Sequence, residues 1–573
     1  MTHDPITLWS QHPYFDPATR AELTALAGNP KELDDRFYKS LEFGTGGLRG
    51  LIGAGTNRMN RYTIRQATWG LAEYIASFGP DAMARGVVIA HDSRRFSPEF
   101  ALETALTLNA RGIVAYLWDS LRPTPMLSYA VRELKAIAGV VITASHNPKE
   151  YNGYKVYWED GGQVPPERAS AIQAQIRAIA DLTTIHPMDE EEAGQRNLLR
   201  TVPVQVDESY LTRLTSLTRS APADRAACRI LYTPLHGAGN IPVRQALERA
   251  GFQVSVVKEQ EQPNGEFPTV RYPNPEERDV FALALQQAEV EQPDLIMATD
   301  PDSDRLGVLL REPTGSYRLL NGNELGAALV SYLIDSQMAT GQLPMNGAVI
   351  KTIATSNLLA GFCADNGVAL IDTHTGFKFI GDKIREFEET GSHTFLFGYE
   401  ESYGYLGATF VRDKDAVMAA LLTADAVAYY RGVGLTLLRV LQRLWQRYGH
   451  FVEDLHNVTL PGKEGQEQIA ALMQRLRTEP PTQFAGLPIA TTDDYATGTR
   501  FDHATGQTSP LALARANVLH YRFADGGFVM VRPSGTEPKL KLYFSVVGSS
   551  RADAEERLAA IRSATLQLMG LTT

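Results

Sequence analysis

The feature that most restricts the fold of this chain is a pattern that occurs three times. An apolar segment typical of a buried strand is followed, about 45–65 residues later, by a second one that ends in a polar loop. A helical segment lies between the two, which is typical of an α/β unit. The pairs are GVVIAHDSRR (86–95) with AIAGVVI (136–142) and its loop TASHNP, RILYTPLHGAG (229–239) with DLIMATDPDSDR (294–305), and GAVIKTIATSN (347–357) with HTFLFGYEESYGY (393–405). The pattern predicts three related α/β domains, each with one polar loop.

The C-terminal part of the chain has a different pattern. After a helical segment at 435–449, alternating runs such as FVMVRP and KLKLYFSVVG favour β-strands, and the segment from about Ala552 to Met569 is typical of an amphipathic helix. We therefore expect a smaller α+β domain there. With 573 residues the chain is long enough for several cores. The predicted domains are residues 1–204, 205–322, 323–455 and 456–573.

Composition excludes several functional classes. A net charge of -11 and a pI near 5.7 lack the basic excess typical of nucleic-acid binding. Cys228 and Cys363 are far apart and outside any CxxC pattern, which favours two buried, unpaired thiols over a disulfide or a zinc site. The first residues do not resemble a signal peptide, and no apolar run is long enough to span a membrane. We expect a cytoplasmic protein without a membrane partner.

Ser145 is the candidate nucleophile. It lies in TASHNPKEYNGYK (143–155), directly after an apolar run that predicts a buried strand. A strand of an α/β enzyme commonly presents its chemistry at its carboxyl end, where this strand would present a hydroxyl and the imidazole of His146. Because serine is also a common turn former and no GxSxG motif surrounds it, the residues alone leave a purely structural turn open.

The segment DPDSDR (300–305) predicts a metal site. Asp300, Asp302 and Asp304 follow a buried strand at alternate positions, and three carboxylates so close together repel one another unless a cation binds them. Hard oxygen ligands suit Mg²⁺. An EF-hand is rejected, because Arg305 and Arg311 stand where its glycine and its last glutamate are required. The alternative is an exposed acidic turn.

Two further loops have the chemistry of a sugar phosphate site. RPSGTEPK (532–539) combines hydroxyls, a glycine and fixed cations, which together can bind a phosphate. GYEESYGY (398–405) places Glu400, Glu401 and Ser402 where a strand ends, and such groups can hydrogen-bond sugar hydroxyls. An unliganded hairpin turn and a solvated acidic turn are the respective alternatives.

Together, and in this order, the four loops resemble those of the α-D-phosphohexomutase superfamily, which includes phosphoglucomutases and phosphomannomutases. TASHNP resembles its phosphoserine loop, DPDSDR its metal loop, GYEESYGY its sugar loop and RPSGTEP its phosphate loop. The stretches FGTGGLRG (43–50), NGYK and THTGFK (373–378) also look like family signatures. The resemblance extends over essentially the whole chain and implies four domains with mixed sheets in a heart-shaped molecule around a central cleft.

The resemblance also implies roles for single residues. Ser145 would carry a phosphoryl group and contribute to a Mg²⁺ site with Asp300, Asp302 and Asp304. Proton transfer would fall to His146, Lys155 and Arg49, without an assignment of acid and base. Substrate contacts would come from Arg305, Lys378, Glu400, Ser402, Arg532, Ser534, Gly535 and Thr536.

The implied reaction is the interconversion of α-D-glucose 1-phosphate and glucose 6-phosphate, with glucose 1,6-bisphosphate as intermediate and activator. The longer sugar loop, GYEESYGYLG followed by VRDKDAV, looks more like the bacterial phosphoglucomutase and phosphopentomutase branch, so pentose and mannose phosphates stay open as substrates. A metal-dependent phosphatase would not require RPSGTEP. A sugar phosphate sensor without activity would not require every reactive position to be intact.

Overall fold

The structure is a computed structural model that describes residues 4–44, 46–460, 462–534 and 539–571. The chain forms two units, one of residues 1–325 with 377–434 and the other of residues 326–376 with 435–573. The residues that bear most of the predicted chemistry, from Arg49 to Arg305 and from Lys378 to Ser402, belong to the first unit.

Three short helices precede the first sheet, as the amphipathic pattern of the N-terminal residues predicts. They are Pro5–Gln11, Pro17–Ala25 and Pro30–Phe37. Each begins with proline, and the side chain of Asp4, Asp16 or Asn29 accepts a backbone N–H in its first turn. Their apolar residues form a small cluster around Trp9, Phe15 and Tyr62.

The first sheet has six strands and carries the TASHNP loop. Their order is Gly47–Leu51, Tyr151–Trp158, Ala138–Ile142, Val87–His91, Ala115–Leu117 and Leu199–Thr201. The helices of this region are Arg61–Ala76, Pro80–Arg85, Ser97–Ala110, Thr124–Glu133, Pro166–Arg177 and Glu190–Gln195, with a 3₁₀ turn at Leu182–Thr184. The stretch 162–203 is rich in Glu, Gln and Ala, which predicts a helical or polar linker, but its residues Leu199–Thr201 form a strand that pairs in parallel with Ala115–Leu117. Three residues are too short to show a strand period.

The second sheet has five strands and carries the DPDSDR loop. Their order is Tyr317–Leu320, Leu306–Arg311, Leu295–Thr299, Arg229–Thr233 and Gln253–Val256. Helices Val204–Thr215, Pro222–Ala226, Asn240–Arg249, Lys258–Glu261 and Ala282–Glu291 and the 3₁₀ helix Arg278–Phe281 belong to this region. The sequence predicts a helix from about Val243 between the two strands of this unit, and the helix begins at Asn240.

The first two sheets share one topology. The strand that leads into the polar loop, Ala138–Ile142 or Leu295–Thr299, is parallel to the first strand of its α/β unit and antiparallel to the strand that follows the loop. Both are buried at every position. The predicted relation between these two domains is therefore confirmed, and both sheets are mixed.

The third repeat contributes to both units. In the second unit Gly347–Thr352 pairs in parallel with Ala369–Thr373, and in the first unit Thr394–Glu400 and Gly404–Leu406 form an antiparallel hairpin. Helices Phe377–Thr390 and Ala416–Gly432 lie in the first unit, Leu359–Asp365 and Leu437–Tyr448 lie in the second, and Gly322–Ala339 begins in the first and continues in the second.

The C-terminal region is the predicted α+β domain. Its seven antiparallel strands follow the order His450–Thr459, Lys539–Gly548, Phe528–Pro533, Leu519–Arg522, Thr491–Asp494, Thr499–Asp502 and Thr508–Pro510. Helices Gly462–Thr478 and Arg551–Met569 and the small hairpin Gln483–Phe484 with Leu487–Pro488 complete it. The first strand pairs along its whole length with Lys539–Gly548, so the predicted boundary between 455 and 456 falls inside a strand. The domain limits stay predictions.

Two sequence expectations concern single features of the fold. Cys228 and Cys363 are both free and buried, as predicted, and burial raises the pKa of each thiol to about 12. Among the residues that the structure describes, no helix is both long enough and apolar enough to cross a membrane.

The buried helix Ala416–Gly432 begins at a carboxyl group that is itself buried. Asp415 accepts hydrogen bonds from the backbone N–H of Met418 at 2.8 Å and from the Tyr210 hydroxyl at 2.9 Å. Burial raises the pKa of Asp415 to about 7 despite these hydrogen bonds. The folded chain therefore binds a proton that the unfolded chain releases between about pH 4 and that value.

We expect the Asp415→Asn variant to lack a pH dependence that the natural chain has. Because the pKa is higher in the folded state, the contribution of Asp415 to stability is present below about pH 4 and is lost as the pH rises to about 7. Urea unfolding at several pH values measures this. Relative to the variant, the natural chain should lose a few kcal/mol across that window, at about 1.4 kcal/mol per pKa unit. Asp34→Asn, at an exposed position, is the control, and parallel curves for all three proteins would contradict the assignment.

Candidate active site

Ser145 lies immediately beside the aspartate cluster. Its hydroxyl donates a hydrogen bond to Asp300 Oδ2 at 2.6 Å, and the hydroxyl oxygen, Ser145 Oγ, lies 3.2 Å from His146 Nδ1. Its backbone is in the left-handed region, with φ of 53°, a conformation that residues other than glycine rarely adopt. The Thr143 hydroxyl accepts the Ser145 N–H at 2.8 Å and so supports this turn.

The three aspartates form one buried cluster, as the spacing predicts. Their ligand oxygens lie within 4.8 Å of one another, and the side chains are at most 2% exposed. Asp300 Oδ1 accepts the backbone N–H groups of Asp304 and Arg305 at 3.0 Å. Asp302 Oδ1 and Asp304 Oδ1, by contrast, are buried and accept no hydrogen bond from any residue that the structure describes.

Together with the other oxygens of the cluster, these two oxygens could hold a cation. A buried carboxylate oxygen without a partner is costly, and a bound cation removes that cost. The donor set consists of hard oxygens, which suits Mg²⁺ better than zinc or copper. The alternative of an exposed acidic turn is excluded, because all three side chains are buried.

Two lysines balance part of the negative charge. Lys155 Nζ lies 2.8 Å from Asp302 Oδ2 and 3.3 Å from Asp304 Oδ2, and Lys414 Nζ lies 3.2 Å from Asp304 Oδ2. The Thr124 hydroxyl also donates to Asp302 Oδ2 at 2.9 Å. The oxygens that face the lysines are therefore satisfied, while the Oδ1 atoms of the same carboxylates remain available.

The carboxyl groups respond differently to this environment. Burial, and then the charges of Asp302 and Asp304, raise the pKa of Asp300 well above its ordinary value. Burial alone would also raise the pKa of Asp304, but Lys414, Lys155 and Arg305 together outweigh it and lower that pKa. The cluster thus combines one carboxyl group that resists ionisation with one that is strongly ionised.

Sheet register explains how the other predicted residues reach Ser145. The strand after the loop returns antiparallel to Ala138–Ile142 and places Lys155 opposite Val141. The strand Gly47–Leu51 pairs on its other side, with Arg49 opposite Gly153. Arg49 Nη1 then donates to Asn147 Oδ1 at 3.1 Å. A Cβ at Gly153 would lie 2.4 Å from the Thr143 carbonyl oxygen, so only glycine permits the strands to approach this closely.

His146 is neutral in this environment. Burial lowers its pKa well below the ordinary value, and the positive charges of Arg305 and Arg49 lower it further. A neutral imidazole can accept a proton from a hydroxyl 3.2 Å away.

The sugar loop lies against the metal loop within the same unit. Glu400 ends the strand Thr394–Glu400, and the turn that contains Ser402 leads to Tyr403, whose φ is 63°. The Tyr403 carbonyl accepts the Leu306 N–H at 3.1 Å. Glu400 is buried and is one of the charges that raise the pKa of Arg305, and Arg305 also forms an ion pair with Glu276. Lys378 is at the start of the helix Phe377–Thr390 and is half-buried.

Lys414 is the main site residue that sequence reasoning missed. It belongs to the segment VRDKDAV and lies between two acidic groups, since it also binds Asp413 Oδ1 at 3.1 Å. Its stem passes over Gly404, where a Cβ would lie 2.2 Å from Lys414 Cδ. A lysine between two aspartates after the sugar loop was a visible signal, but its partner Asp304 is too distant in sequence to infer.

The predicted phosphate loop belongs to the second unit. Arg532 is near the end of the strand Phe528–Pro533, and the Ser534 N–H donates to the Lys539 carbonyl at 2.8 Å. Gly535 and Thr536 lie outside the residues that the structure describes. Of the four predicted residues, the structure therefore places Arg532 in this strand and Ser534 directly after it.

We expect Asp302→Asn to weaken binding of Mg²⁺ by at least about tenfold, because it removes one charge and one ligand oxygen of a hard-cation site. Isothermal calorimetry with MgCl₂ measures this without any assay of activity. Asp413→Asn is the matched control, since it removes a buried charge near the site but leaves the cluster oxygens intact. Equal Mg²⁺ affinity of the natural chain and the Asp302 variant would contradict the site.

Family models match the chain in four consecutive segments. Their descriptions are phosphoglucomutase/phosphomannomutase α/β/α domain I for residues 40–183, domain II for residues 208–315, domain III for residues 321–448 and the C-terminal domain for residues 455–563. The four models follow the order of the four predicted domains.

Individual proteins are similar over most of the chain. A phosphoglucomutase of Staphylococcus epidermidis is 36% identical over 518 residues, which cover 90% of this chain and 92% of that protein. One of Staphylococcus haemolyticus is 37% identical over 511 residues, with 89% and 91% covered. The crystal structure of a putative phosphomannomutase from Thermus thermophilus matches with a TM-score of 0.66 at 22% identity and covers 93% of this chain and 99% of that chain. This last likeness concerns the fold.

Proposed function

We propose that this chain, which belongs to the phosphoglucomutase/phosphomannomutase family, interconverts α-D-glucose 1-phosphate and glucose 6-phosphate. Two relatives that are 36% and 37% identical over about nine tenths of this chain are named phosphoglucomutase. The observation that carries the proposal is the hydrogen bond of 2.6 Å between the Ser145 hydroxyl and Asp300, within a buried cluster whose free oxygens suit a cation.

In the proposed reaction Ser145 first gives a phosphoryl group to the sugar and then takes one back from it. In the first step the bond between Ser145 Oγ and phosphorus breaks as the 6-oxygen of glucose 1-phosphate bonds to that phosphorus; the 6-hydroxyl gives up its proton and Ser145 Oγ takes one up. The product is glucose 1,6-bisphosphate. In the second step Ser145 Oγ gives up its proton and bonds to the phosphorus of the 1-phosphate, while the bond between that phosphorus and the sugar's 1-oxygen breaks. The 1-oxygen takes up a proton, and glucose 6-phosphate is released. The enzyme returns to its phosphorylated state.

The chain's own residues supply alignment and charge. Phosphoryl transfer is catalysed mainly by positioning and by neutralising negative charge. Mg²⁺, held by Asp300, Asp302, Asp304 and the phosphorylated Ser145, would add positive charge beside the transferred group. Lys155 is fixed by its two ion pairs within the same cluster and adds a further positive charge there.

His146 is our candidate for accepting the proton of the Ser145 hydroxyl. Its distance of 3.2 Å and its lowered pKa support this, since an uncharged imidazole can act as a base. Arg49 and Lys155 are the other candidates for proton transfer and for contacts with the phosphoryl group. Arg49 is held beside the loop by its hydrogen bond to Asn147.

The remaining residue roles are proposals from the family resemblance. Glu400 and Ser402 would bind sugar hydroxyls, and Lys378 and Arg305 would contact the substrate. The position of Glu400 at a strand end beside the metal loop supports its part. For the phosphate that does not react, Arg532, Ser534, Gly535 and Thr536 are the proposed ligands.

We expect Ser145→Ala to abolish turnover while the fold is retained, because the variant lacks the oxygen that carries the phosphoryl group. A coupled assay for glucose 6-phosphate measures the loss, and intact-mass analysis should find no phosphoryl adduct after incubation with glucose 1,6-bisphosphate. Ser120→Ala, at an exposed position, is the control for both measurements. Activity of the Ser145 variant close to that of the natural chain would refute the mechanism.

We expect kcat/KM for glucose 1-phosphate to exceed the values for mannose 1-phosphate and ribose 1-phosphate by at least about tenfold, a difference that one or two lost hydrogen bonds in the transition state can produce. Each substrate is assayed with its matching bisphosphate, so that the serine is phosphorylated in every case. A higher value for either competitor would reassign the substrate within the same mechanism.

A further inference from the structure

Arg94 binds the backbone of the phosphoserine loop from its buried side. The guanidinium donates to four carbonyl oxygens that belong to the segment 145–151. Nη1 binds the Pro148 carbonyl at 2.8 Å and the Tyr151 carbonyl at 3.1 Å, and Nη2 binds the carbonyls of Ser145 and Asn147. Arg94 is 1% exposed. One planar cation therefore satisfies the inward-facing carbonyls of the whole loop.

Asp92 fixes Arg94 and the start of the loop together. Its Oδ2 lies 3.3 Å from Arg94 Nε and accepts the Thr143 hydroxyl at 2.6 Å. Its Oδ1 accepts hydrogen bonds from the backbone N–H of Arg94 at 2.9 Å and from the Ser97 hydroxyl at 2.7 Å. Thr143 in turn accepts the N–H of Ser145. The chain of contacts from Asp92 thus reaches the candidate nucleophile along two routes.

A segment of the second sheet's domain also contacts the guanidinium. The Phe267 ring lies 5.1 Å from Arg94 Cζ, and this ring is itself buried. Close backbone packing supports the contact, since a Cβ at Gly265 would lie 2.6 Å from the Arg95 nitrogen. A cation between a ring and four carbonyls has little freedom to move.

We propose that Arg94 is the positioning residue that holds the Ser145 hydroxyl in line for phosphoryl transfer. The inference rests on the proposed function and extends it to a residue that touches neither substrate nor cation. Ser145 has a strained backbone, and it must keep one position while its side chain alternates between a hydroxyl and a charged phosphoryl group. The hydrogen bonds of Arg94 supply that constraint without contact to the reacting atoms.

Lysine cannot replace this arrangement. Its three donors radiate from one nitrogen, whereas the guanidinium presents separate donors to carbonyls that lie apart along the loop. In Arg94→Lys the charge beside Asp92 is retained, and most of the loop carbonyls lose their donor. The variant therefore separates the effect of geometry from the effect of charge.

The test compares Arg94→Lys with Arg95→Lys in the full chain. Arg95 is the matched control, because it is the next residue, is 42% exposed in its side chain and pairs with Glu266 at the surface. Among the residues that the structure describes, its side chain donates to one carbonyl of the loop, that of Lys149, and at 3.4 Å this hydrogen bond is long. We expect kcat of the Arg94 variant to fall roughly 100-fold, which is the scale of a displacement of about 1 Å at the reacting atoms. KM for glucose 1-phosphate should change less than about threefold, because substrate contacts are intact. Arg95→Lys should retain both values.

Hydrogen exchange separates positioning from a loss of folding. Amides of 143–151 should exchange faster in Arg94→Lys, while those of the strands Val87–His91 and Ala138–Ile142 keep their rates. A normal kcat for Arg94→Lys would overturn the inference, and so would faster exchange across the whole first sheet with kcat per folded molecule unchanged. If the lysine variant does not fold, Phe267→Leu replaces it and should show the same pattern at a smaller scale. If the natural chain itself lacks mutase activity, the proposed function fails, and exchange at 143–151 alone decides whether Arg94 fixes the loop.

Discussion

The rest of the first unit depends on how three buried carboxylates are kept together. Asp300, Asp302 and Asp304 would repel one another strongly in a low-dielectric interior. Lys155 and Lys414 contribute positive charge from two different parts of the chain, and two carboxylate oxygens still remain without a hydrogen bond among the residues described. Together with these oxygens, the buried carboxylates could hold a cation, which would complete the cluster.

The backbone of the metal loop is held as firmly as its side chains. The carbonyls of Pro301, Asp302 and Ser303 accept N–H groups from Ala238, Thr124 and Ala416, three residues that belong to different segments of the first unit. These three hydrogen bonds are accepted by backbone carbonyls and use no carboxylate oxygen, so the carboxylates stay free to point in one direction. The aspartates are consequently preorganised, so binding of a cation would not include the free-energy cost of ordering the loop.

The sequence alone was sufficient to predict features that are contained within a few neighbouring residues. The aspartate spacing, Ser145 at a strand end and the alternating C-terminal strands are each contained within a few residues, and the structure places them as predicted. Lys414 and Arg94 could not be found this way, because their partners lie more than 50 residues away and are fixed by how strands and loops pack. The three-residue strand Leu199–Thr201 was missed for another reason, since its own sequence shows no period.

Positive charge is distributed on two sides of the phosphoserine loop, and the two sides have different consequences. Lys155 and Lys414 lie on the side of the aspartates, where each forms an ion pair with the cluster. Arg94 lies behind the loop, and its donors are used by carbonyl oxygens. A charge that is bound to the backbone on one side cannot move toward the phosphate on the other, so it serves as an anchor. In the proposed reaction Ser145 alternates between two charge states, and an anchor of constant charge can hold the loop in both.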